Sequence, residues 1–417
     1  MSAAWSTPRR AAAGASRLRI AVLGYVIRGP LGGLAWHHLQ YVLGLDRLGH
    51  DVLFYEDSDD YPACYDPARN VTDTDPSYGL RFAAAAFTRL GLGERWAYHD
   101  AHAGGWRGPA AARAVEFARA ADLLVDLSGV NPLRPWHLAI PARALVDTDP
   151  AFTQIKHLTD PAALARARAH TAFFTFGENL PRGTASIPAD RLPWLPTRQP
   201  IVLDAWPVTP GPPGGRFTTV MQWDSYPALE YAGRRYGMKS ESFRKVMDLP
   251  RRTGAAGFEL AVGSASAPRR ELRRLGWSVR DPRRPTRDPW AYQRYIQRSK
   301  AEFGVAKHGY VVSRSGWFSE RSAAYLASGR PVVVEDSGFT TLLPAGRGIL
   351  AFSTPEEALA GIEAVTRDYA AHCRAAREIA ADYFDARVVL GALVTQALHP
   401  QRGAARGEHT ADSRGMI

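Results

Sequence analysis

The chain has 417 residues, a composition that is 46% hydrophobic and 22% charged, and a formal net charge of +11. This length allows two domains with full cores, and this composition excludes a disordered chain. The two cysteines, Cys64 and Cys373, are too few for a disulfide scaffold and lack zinc-site spacing, which fits a reducing, cytoplasmic location. No apolar stretch approaches the roughly 18 residues that suggest a membrane-spanning helix.

The positive charge raises the question of a nucleic-acid partner, because basic proteins often bind polyanions. The arginines are scattered along the chain, apart from one cluster between residues 269 and 287, and no nucleic-acid motif accompanies them. Nucleic acid is therefore not the expected partner. A basic surface would equally help to capture a smaller anion. The sequence leaves the formation of a homodimer open.

The order of predicted strands and helices divides the chain into two α/β units in tandem. A proline-rich stretch separates them, and polar or small residues dominate both ends of the chain. The predicted boundaries are a disordered lead-in at 1–17, a first domain at 18–198, an interdomain connector at 199–213, a second domain at 214–385, a C-terminal helix at 386–400 and a disordered tail at 401–417.

The first domain opens with a predicted strand at 18–24, a glycine loop, a helix at about 34–48 and a second strand at 51–56. The loop contains Gly29, Gly32 and Gly33. This unit predicts a parallel sheet with a right-handed crossover. The loop lacks the GxGxxG spacing of a dinucleotide-binding fingerprint.

Two histidines follow the glycine loop, in the first turn of the predicted helix. His38 falls on the apolar stripe, where a packed histidine is expected, whereas His37 points to a freer side. A histidine such as His37 is suited to take a proton from a hydroxyl group near neutral pH. Asp126 and Asp149, at predicted strand ends, are rival bases, although carboxylates there also cap loops.

The strongest pattern in the second domain lies between residues 311 and 341. It predicts a strand, a polar loop, a short helix ended by Gly329, a buried strand at 332–334 and a second glycine loop at 337–341. Loops at the carboxyl ends of neighbouring strands bind ligands in open α/β sheets. Amides at a helix start attract phosphate, and Gly338 would let the backbone approach a ligand.

The segments 326–332 (LASGRPV), 337–339 (SGF) and 344–358 (PAGRGILAFSTPEEA) resemble the donor-site region of GT-B glycosyltransferases of the group 1 and CgeB-like kind. The resemblance covers residues 300–395. It implies an α/β GT-B fold in which two Rossmann-like domains face a central cleft. The second domain would bind a nucleotide-diphosphate sugar, the glycine loop of the first would lie at the acceptor side, and the helix at 386–400 would cross back toward the first domain.

The resemblance places Lys239 near the position of a diphosphate-binding basic residue, although a solvated lysine is an equal alternative. The glutamate pair usual in group 1 enzymes would fall at Gly316 and Ala324, so other side chains must contact the ribose and the sugar. The candidate donor-binding residues are Lys239, Ser313, Ser315, Gly316, Trp317, Glu320, Arg321, Glu335, Ser337, Gly338, Phe339, Thr340 and Thr341.

The expected activity is transfer of a sugar to a hydroxyl or amine of a small-molecule acceptor, with no cofactor and no metal. Asp147 and Asp149 spell an Asp-x-Asp pattern, but they lie in the wrong domain for a GT-B donor site. The candidate bases are His37, Asp149 and Asp126, and none is needed if the anomeric configuration is retained. Two alternatives stay open, a nucleotide-sugar epimerase of the same fold and a non-catalytic sugar- or nucleotide-binding protein.

Overall fold

The structure, a computed structural model, describes residues 17–254 and 257–399. The predicted disordered tail at 401–417, and all but the last residue of the lead-in at 1–17, lie outside the described residues. Within the described ranges, no helix combines the length and the apolarity needed to cross a bilayer.

The first domain is built on an eight-stranded sheet flanked by helices. Its strands are β1 (Arg19–Leu23), β2 (Asp51–Asp57), β3 (Cys64–Asp66), β4 (Val71–Asp73), β5 (Trp96–His99), β6 (Trp106–Arg107), β7 (Leu123–Leu127), β8 (Ala142–Asp147), β9 (Ala172–Thr175) and β10 (Trp194–Pro196). Its helices are α1 (Gly32–Arg47), α2 (Ser77–Arg89), α3 (Ala114–Arg119), α4 (Pro135–Leu138), α5 (Phe152–Thr159) and α6 (Pro161–Arg168).

The sheet order is β10-β9-β8-β7-β1-β2-β5-β6, and β3 and β4 form a separate hairpin. All neighbours in the large sheet are parallel except β5 and β6. The central strands are apolar and buried along nearly their whole length, as expected for a parallel sheet covered on both faces. The strand–helix–strand unit predicted at the start of the first domain corresponds to β1, α1 and β2, and its two strands are parallel neighbours.

The second domain has a six-stranded parallel sheet in the order β15-β14-β11-β16-β17-β18. Its strands, with those of a small hairpin, are β11 (Phe217–Gln222), β12 (Leu229–Tyr231), β13 (Arg234–Tyr236), β14 (Phe258–Gly263), β15 (Ser278–Arg280), β16 (Ala301–Gly304), β17 (Val332–Glu335) and β18 (Ile349–Phe352). Its helices are α7 (Lys239–Arg244), α8 (Leu249–Arg252), α9 (Arg269–Arg274), α10 (Pro289–Gln297), α11 (His308–Val312), α12 (Glu320–Ala327), α13 (Pro355–Arg367) and α14 (Tyr369–Tyr383).

One predicted element in this domain is wrong. The strand expected at the start of the 311–341 pattern is the end of helix α11, and the strand of that unit lies earlier, at β16. The apolar residues Val311 and Val312 cannot by themselves distinguish a short strand from a buried helical turn.

The two domains are in direct contact. The final helix, α15 (Ala386–Leu398), follows the second domain in sequence but packs on α1, β7 and β8 of the first. Ile201 pairs with Asp385 where the chain crosses between the domains. The indole Nε1 of Trp36 in α1 also donates a hydrogen bond to the carbonyl of Pro289 at 2.7 Å. These contacts place the glycine loop of the first domain against the second.

Candidate active site

A cavity of about 1010 Å³ lies between the two domains. It is called the donor cavity below, after the ligand that the sequence analysis expects the second domain to bind. The first domain contributes Leu31, Gly33 and Leu34, at the start of α1. The second domain contributes the ends of β11, β14 and β15 and the first residues of α7 and α12. The cavity therefore lies at the carboxyl edge of a parallel sheet, which is where open α/β sheets bind ligands.

Cationic side chains outnumber anionic ones around the donor cavity. The carboxylates that line it are those of Glu320 and Asp281, and Asp281 is paired with Arg283 at 2.8 Å. The cationic lining residues are Lys239, Arg269, Arg273, Arg280, Arg283 and Arg321. This balance of charge suits an anionic ligand.

Lys239 is the first residue of α7 and is half-buried in the wall of the donor cavity. Its ammonium group forms no hydrogen bond or ion pair with another residue in the part of the chain that the structure describes. Burial, followed by the nearby charge of Arg321, lowers the pKa of Lys239 to about 7. A bound anion would raise this pKa again.

Arg321 is a fixed cation near the start of α12. It is 6% exposed, its Nε donates to Oε1 of Glu302 at 2.5 Å, and its Nη1 donates to the carbonyl of Val220 at 2.9 Å. Burial opposes the charge, but the attraction of Glu302 outweighs it and raises the pKa of Arg321. The guanidinium group therefore stays charged and held in one position.

Glu320 is the first residue of α12 and faces the space between the domains. It lines the donor cavity and also a narrow cavity that it shares with His37 and Tyr292. The hydroxyl of Ser319, the N-cap of α12, accepts a hydrogen bond from the amide of Arg321 and fixes this helix start. Glu320 is thus a carboxylate held at the boundary of the two domains.

The two histidines of α1 occupy different environments. His38 is completely buried, and its Nδ1 donates to the carbonyl of Leu34 at 2.9 Å, so it is the packed histidine that the apolar stripe predicts. His37 is half-buried beside Glu320. Burial lowers the pKa of His37, partly offset by the charge of Glu320. His37 is therefore neutral near pH 7 and can accept a proton.

The glycine loop brings the two domains close together. A Cβ atom on Gly32 would lie 2.2 Å from the carbonyl oxygen of Asp288, and one on Gly33 would lie 3.0 Å from the ring of Tyr292. Gly29 instead packs on Leu34 of its own domain, and only Gly33 of the three glycines lines the donor cavity. Gly32 and Gly33 both allow the close approach of the second domain, and Gly33 also lines the donor cavity.

Asp149, one of the candidate bases, is hydrogen-bonded through both carboxylate oxygens. Its Oδ1 accepts hydrogen bonds from the ammonium of Lys307 at 2.8 Å and from the hydroxyl of Tyr310, and its Oδ2 accepts one from the hydroxyl of Tyr226. The ammonium of Lys307 also lies 4.3 Å from the ring centroid of Tyr226. Both carboxylate oxygens are therefore occupied by a cluster that joins the first domain to the second.

Asp126 also differs from its predicted role. It is 1% exposed, and its Oδ2 lies 3.1 Å from Nε2 of His170. It belongs to the wall of a second cavity, on the first-domain side, and not to the donor cavity. Its burial and its position outside the donor cavity argue against a role as the base.

The largest correction concerns the glycine loop at 337–341, which does not line the donor cavity. The carboxylate of Asp336 takes the place that a phosphate would occupy, because its Oδ1 accepts a hydrogen bond from the amide of Gly338 at 2.8 Å. Asn179 of the first domain covers the loop, and its Nδ2 donates to the carbonyl of Gly338 at 3.1 Å. Thr340 bonds to Asp336 and, like Thr341, is exposed to solvent, while Phe339 is buried. The amide of Gly338 is therefore already engaged within the protein, and the loop lies outside the donor cavity.

The polar loop before α12 is buried as well. Its hydroxyl groups are used internally: Ser313 donates to the carbonyl of Gly309 at 2.7 Å, and Ser337 donates to the carbonyl of Trp317. The predicted donor residues that do not line the donor cavity are Ser313, Ser315, Gly316, Trp317, Glu335, Ser337, Gly338, Phe339, Thr340 and Thr341. Of the predicted donor set, Lys239, Glu320 and Arg321 do line it.

Sequence reasoning missed several residues of this region. Arg269 and Arg273 line the donor cavity, and the arginine cluster at 269–287 was the available signal. The role of Asn179 carried no local signal, because it depends on a contact between domains. Asp336, which directly precedes the Ser-Gly pair, could have indicated that the loop caps itself.

Comparisons with solved structures identify the fold. An alpha-glucosyltransferase in complex with UDP and a 13-mer DNA containing a HMU base aligns with 92% of this chain and 100% of its own, with a TM-score of 0.55 and 9% identity. AviGT4, a glycosyltransferase involved in avilamycin A biosynthesis, aligns with 93% of this chain and 99% of its own, with a TM-score of 0.50 and 13% identity. Anabaena Alr3699/HepE in complex with UDP and glucose aligns with 91% of this chain and 99% of its own, with a TM-score of 0.53 and 12% identity.

No protein-family model and no curated protein matches the chain. The structural similarity at these low identities concerns the fold. The chain therefore has the GT-B fold of these glycosyltransferases, which confirms the predicted fold class.

Proposed function

We propose that the protein is a glycosyltransferase that moves a sugar from a nucleotide-diphosphate sugar to a small-molecule acceptor, without a metal ion. The observation that carries this proposal is Lys239, a cation that lines the interdomain cavity of a GT-B fold and has no hydrogen-bond or ion-pair partner among the described residues. The UDP complexes of two structural neighbours support the choice of donor. The resemblance of segment 326–332 to the group 1 and CgeB-like enzymes supports the same choice of donor. The two free cysteines favour a reducing compartment such as the cytoplasm.

The donor fits the donor cavity by charge. Its diphosphate would lie beside Lys239 and within the field of Arg321, whose own hydrogen bonds keep it in place. Gly33 allows the phosphates to approach the backbone of the first domain. Glu320 is the carboxylate available to accept hydrogen bonds from sugar or ribose hydroxyls, in place of the glutamate pair that the sequence lacks.

In the transfer step, the bond between the anomeric carbon and the diphosphate oxygen breaks while the acceptor oxygen or nitrogen bonds to that carbon. Negative charge develops on the leaving diphosphate, and the ammonium of Lys239 stabilises it in a partly dehydrated site. The acceptor proton passes to a base or to water. His37, neutral near pH 7 and next to Glu320, is the side chain we assign to that role.

The test is calorimetric titration with UDP, TDP and GDP, followed by a hydrolysis assay with the matching nucleotide sugars. We expect one nucleotide to bind, and Lys239→Gln to weaken it by about 10- to 100-fold, because a charge-assisted bond contributes about 1.5–3 kcal/mol. Lys245→Gln is the matched control, since Lys245 is an exposed lysine of the same domain that does not line the cavity.

Two results would contradict the proposal. One is that none of the three nucleotides binds the wild-type protein. The other is that Lys239→Gln and Lys245→Gln bind the nucleotide equally well. Isomerisation of the sugar with no acceptor present would instead identify an epimerase.

A further inference from the structure

We propose that the hydroxyl of Tyr292 donates a hydrogen bond to the terminal phosphate of the donor's diphosphate, and that it stabilises the leaving group together with Lys239. The inference rests on the proposed function, because only a bound nucleotide-diphosphate sugar supplies that phosphate. Tyr292 lies on α10, a helix that carries none of the candidate residues from the sequence analysis. It is therefore an addition to the predicted donor site.

Tyr292 lies where the donor cavity meets the narrow cavity that contains His37. It lines both cavities, although only 6% of its surface is exposed. A Cβ atom on Gly33 would lie 3.0 Å from the ring of Tyr292 and 3.4 Å from its hydroxyl oxygen. Gly33 is the first-domain residue beside which the diphosphate is expected to lie. The hydroxyl of Tyr292 is therefore close to the expected position of the phosphates.

The hydroxyl of Tyr292 is free to bind a ligand. It forms no hydrogen bond with another residue in the ranges that the structure describes. Other buried tyrosines of the second domain do have partners, since Tyr310 donates to Asp149 and the hydroxyls of Tyr325 and Thr218 lie 2.6 Å apart. Buried polar groups nearly always have a hydrogen-bond partner, and a group that lines a cavity can obtain one from a ligand.

The surroundings of Tyr292 favour a role as a hydrogen-bond donor and not as a base. Burial raises the pKa of Tyr292 well above 10, although the nearby charge of Arg321 opposes this shift. The hydroxyl therefore keeps its proton near neutral pH and can donate to an anion. The effect of Arg321 also indicates that the hydroxyl and the guanidinium group lie near each other, so both can act on the same part of an anionic ligand.

The helix start that carries Tyr292 is held in place by its own cap and by the first domain. Oδ1 of Asp288, the N-cap of α10, accepts a hydrogen bond from the amide of Ala291 at 2.7 Å. The carbonyl of Thr286, just before the helix, accepts a hydrogen bond from the amide of Gly32 at 2.6 Å. Tyr292 follows in the first turns of this helix, so its hydroxyl is positioned before a ligand binds.

Tyr292 would act on the bond that breaks. When the sugar is transferred, the bond between the anomeric carbon and the diphosphate oxygen breaks, and its electron pair stays on the diphosphate. The hydroxyl of Tyr292 donates a hydrogen bond to an oxygen of this phosphate and keeps its proton, while Lys239 supplies positive charge. A donor fixed where negative charge develops stabilises the transition state more than the ground state, so Tyr292 would accelerate the departure of the diphosphate.

The experiment compares nucleoside monophosphates with diphosphates, because only a diphosphate has the terminal phosphate. Calorimetry with UMP and UDP, TMP and TDP, and GMP and GDP gives the factor by which this phosphate tightens binding. We expect Tyr292→Phe to reduce that factor by about 10- to 100-fold and to leave the affinity for the monophosphate unchanged. The phenyl ring preserves the packing beside Gly33, and the lost hydroxyl has no partner among the described residues, so the variant should fold.

Tyr41→Phe is the matched control. Tyr41 lies on α1, its buried hydroxyl also has no partner among the described residues, and it lines neither the donor cavity nor the narrow cavity. Tyr41→Phe should keep the wild-type factor. It should also keep the wild-type rate of hydrolysis of the matching nucleotide sugar, whereas Tyr292→Phe should lower that rate at least tenfold.

The results separate this inference from the proposed function. If Tyr292→Phe keeps the wild-type factor, or weakens monophosphate and diphosphate equally, Tyr292 only packs and the inference is overturned. The donor site then stands as long as Lys239→Gln still weakens the nucleotide. An equal loss in Tyr41→Phe would also overturn the inference, because the effect would not be specific to the cavity. If no nucleoside diphosphate binds the wild-type protein, both proposals fail.

Discussion

The start of α12 and the glycine loop at 337–341 both follow the second sheet at its carboxyl edge, yet only the start of α12 opens on the donor cavity. At the start of α12, Arg321 is anchored from below by Glu302, which leaves Glu320 directed at the cleft. In the loop, the carboxylate of Asp336 accepts a hydrogen bond from the amide of Gly338. The side chain of Asn179, from the first domain, donates a hydrogen bond to the carbonyl of Gly338.

The difference shows that a loop with phosphate-binding chemistry becomes a ligand site only when the protein does not satisfy that chemistry itself. Both segments offer backbone amides at the start of a helical turn. The two segments differ in their hydrogen bonds: the amide of Gly338 is bonded within the loop, whereas the carboxylate of Glu320 faces the donor cavity. The following predictions test how each segment is held.

Glu302→Ala should have the largest effect, because it leaves the guanidinium of Arg321 buried without its partner. Removing one member of a buried ion pair typically costs about 3–5 kcal/mol of unfolding free energy. Urea denaturation measures this loss. The double variant Glu302→Leu with Arg321→Met should recover much of it, and a double variant as unstable as Glu302→Ala would show that the pair is not what holds this helix start.

Gly338→Val should destabilise the fold by roughly 2–4 kcal/mol without changing nucleotide affinity. Gly338 has a φ of 95°, and a Cβ there would lie 2.8 Å from Nδ2 of Asn179, so the valine adds both backbone strain and a clash. Thermal unfolding and UDP titration of the folded protein measure the two effects. A stable variant that had lost UDP binding would restore the loop as the phosphate site.

The sequence predicted the parts of this molecule that depend on local pattern. The buried run at 332–334 predicted β17, and the glycine loop before α1 predicted the crossover unit, because apolar runs and glycine turns are local signals. Lys239 was predicted from its sequence position, which resembles that of a diphosphate-binding basic residue in group 1 enzymes. The burial of Gly338 depends on Asn179, which is 159 positions away in the sequence, and no local pattern encodes that contact.

Affinity for UDP-glucose should fall as the pH rises above about 7, by roughly tenfold between pH 7 and pH 9, if this is the donor. The pKa of Lys239 is about 7 in the free protein. Above that pH, Lys239 must first be protonated before it can bind the diphosphate, and this lowers the apparent affinity. Lys239→Arg, whose side chain stays protonated, should flatten this profile. Calorimetry across the range checks both, and a pH-independent wild-type affinity would contradict the role of Lys239.

The smallest expected effect is that of Asn179→Ala, which uncovers the loop at 337–341. The substitution removes hydrogen bonds from Nδ2 to the carbonyls of Arg314, at 2.9 Å, and Gly338, so we expect a loss of about 1 kcal/mol in unfolding free energy. Nucleotide affinity should stay unchanged, because Asp336 still occupies the amides of the loop. Tighter UDP binding by Asn179→Ala would instead show that the loop is a phosphate site that the first domain blocks. The loop and the start of α12 would then differ in accessibility and not in their hydrogen-bonding groups.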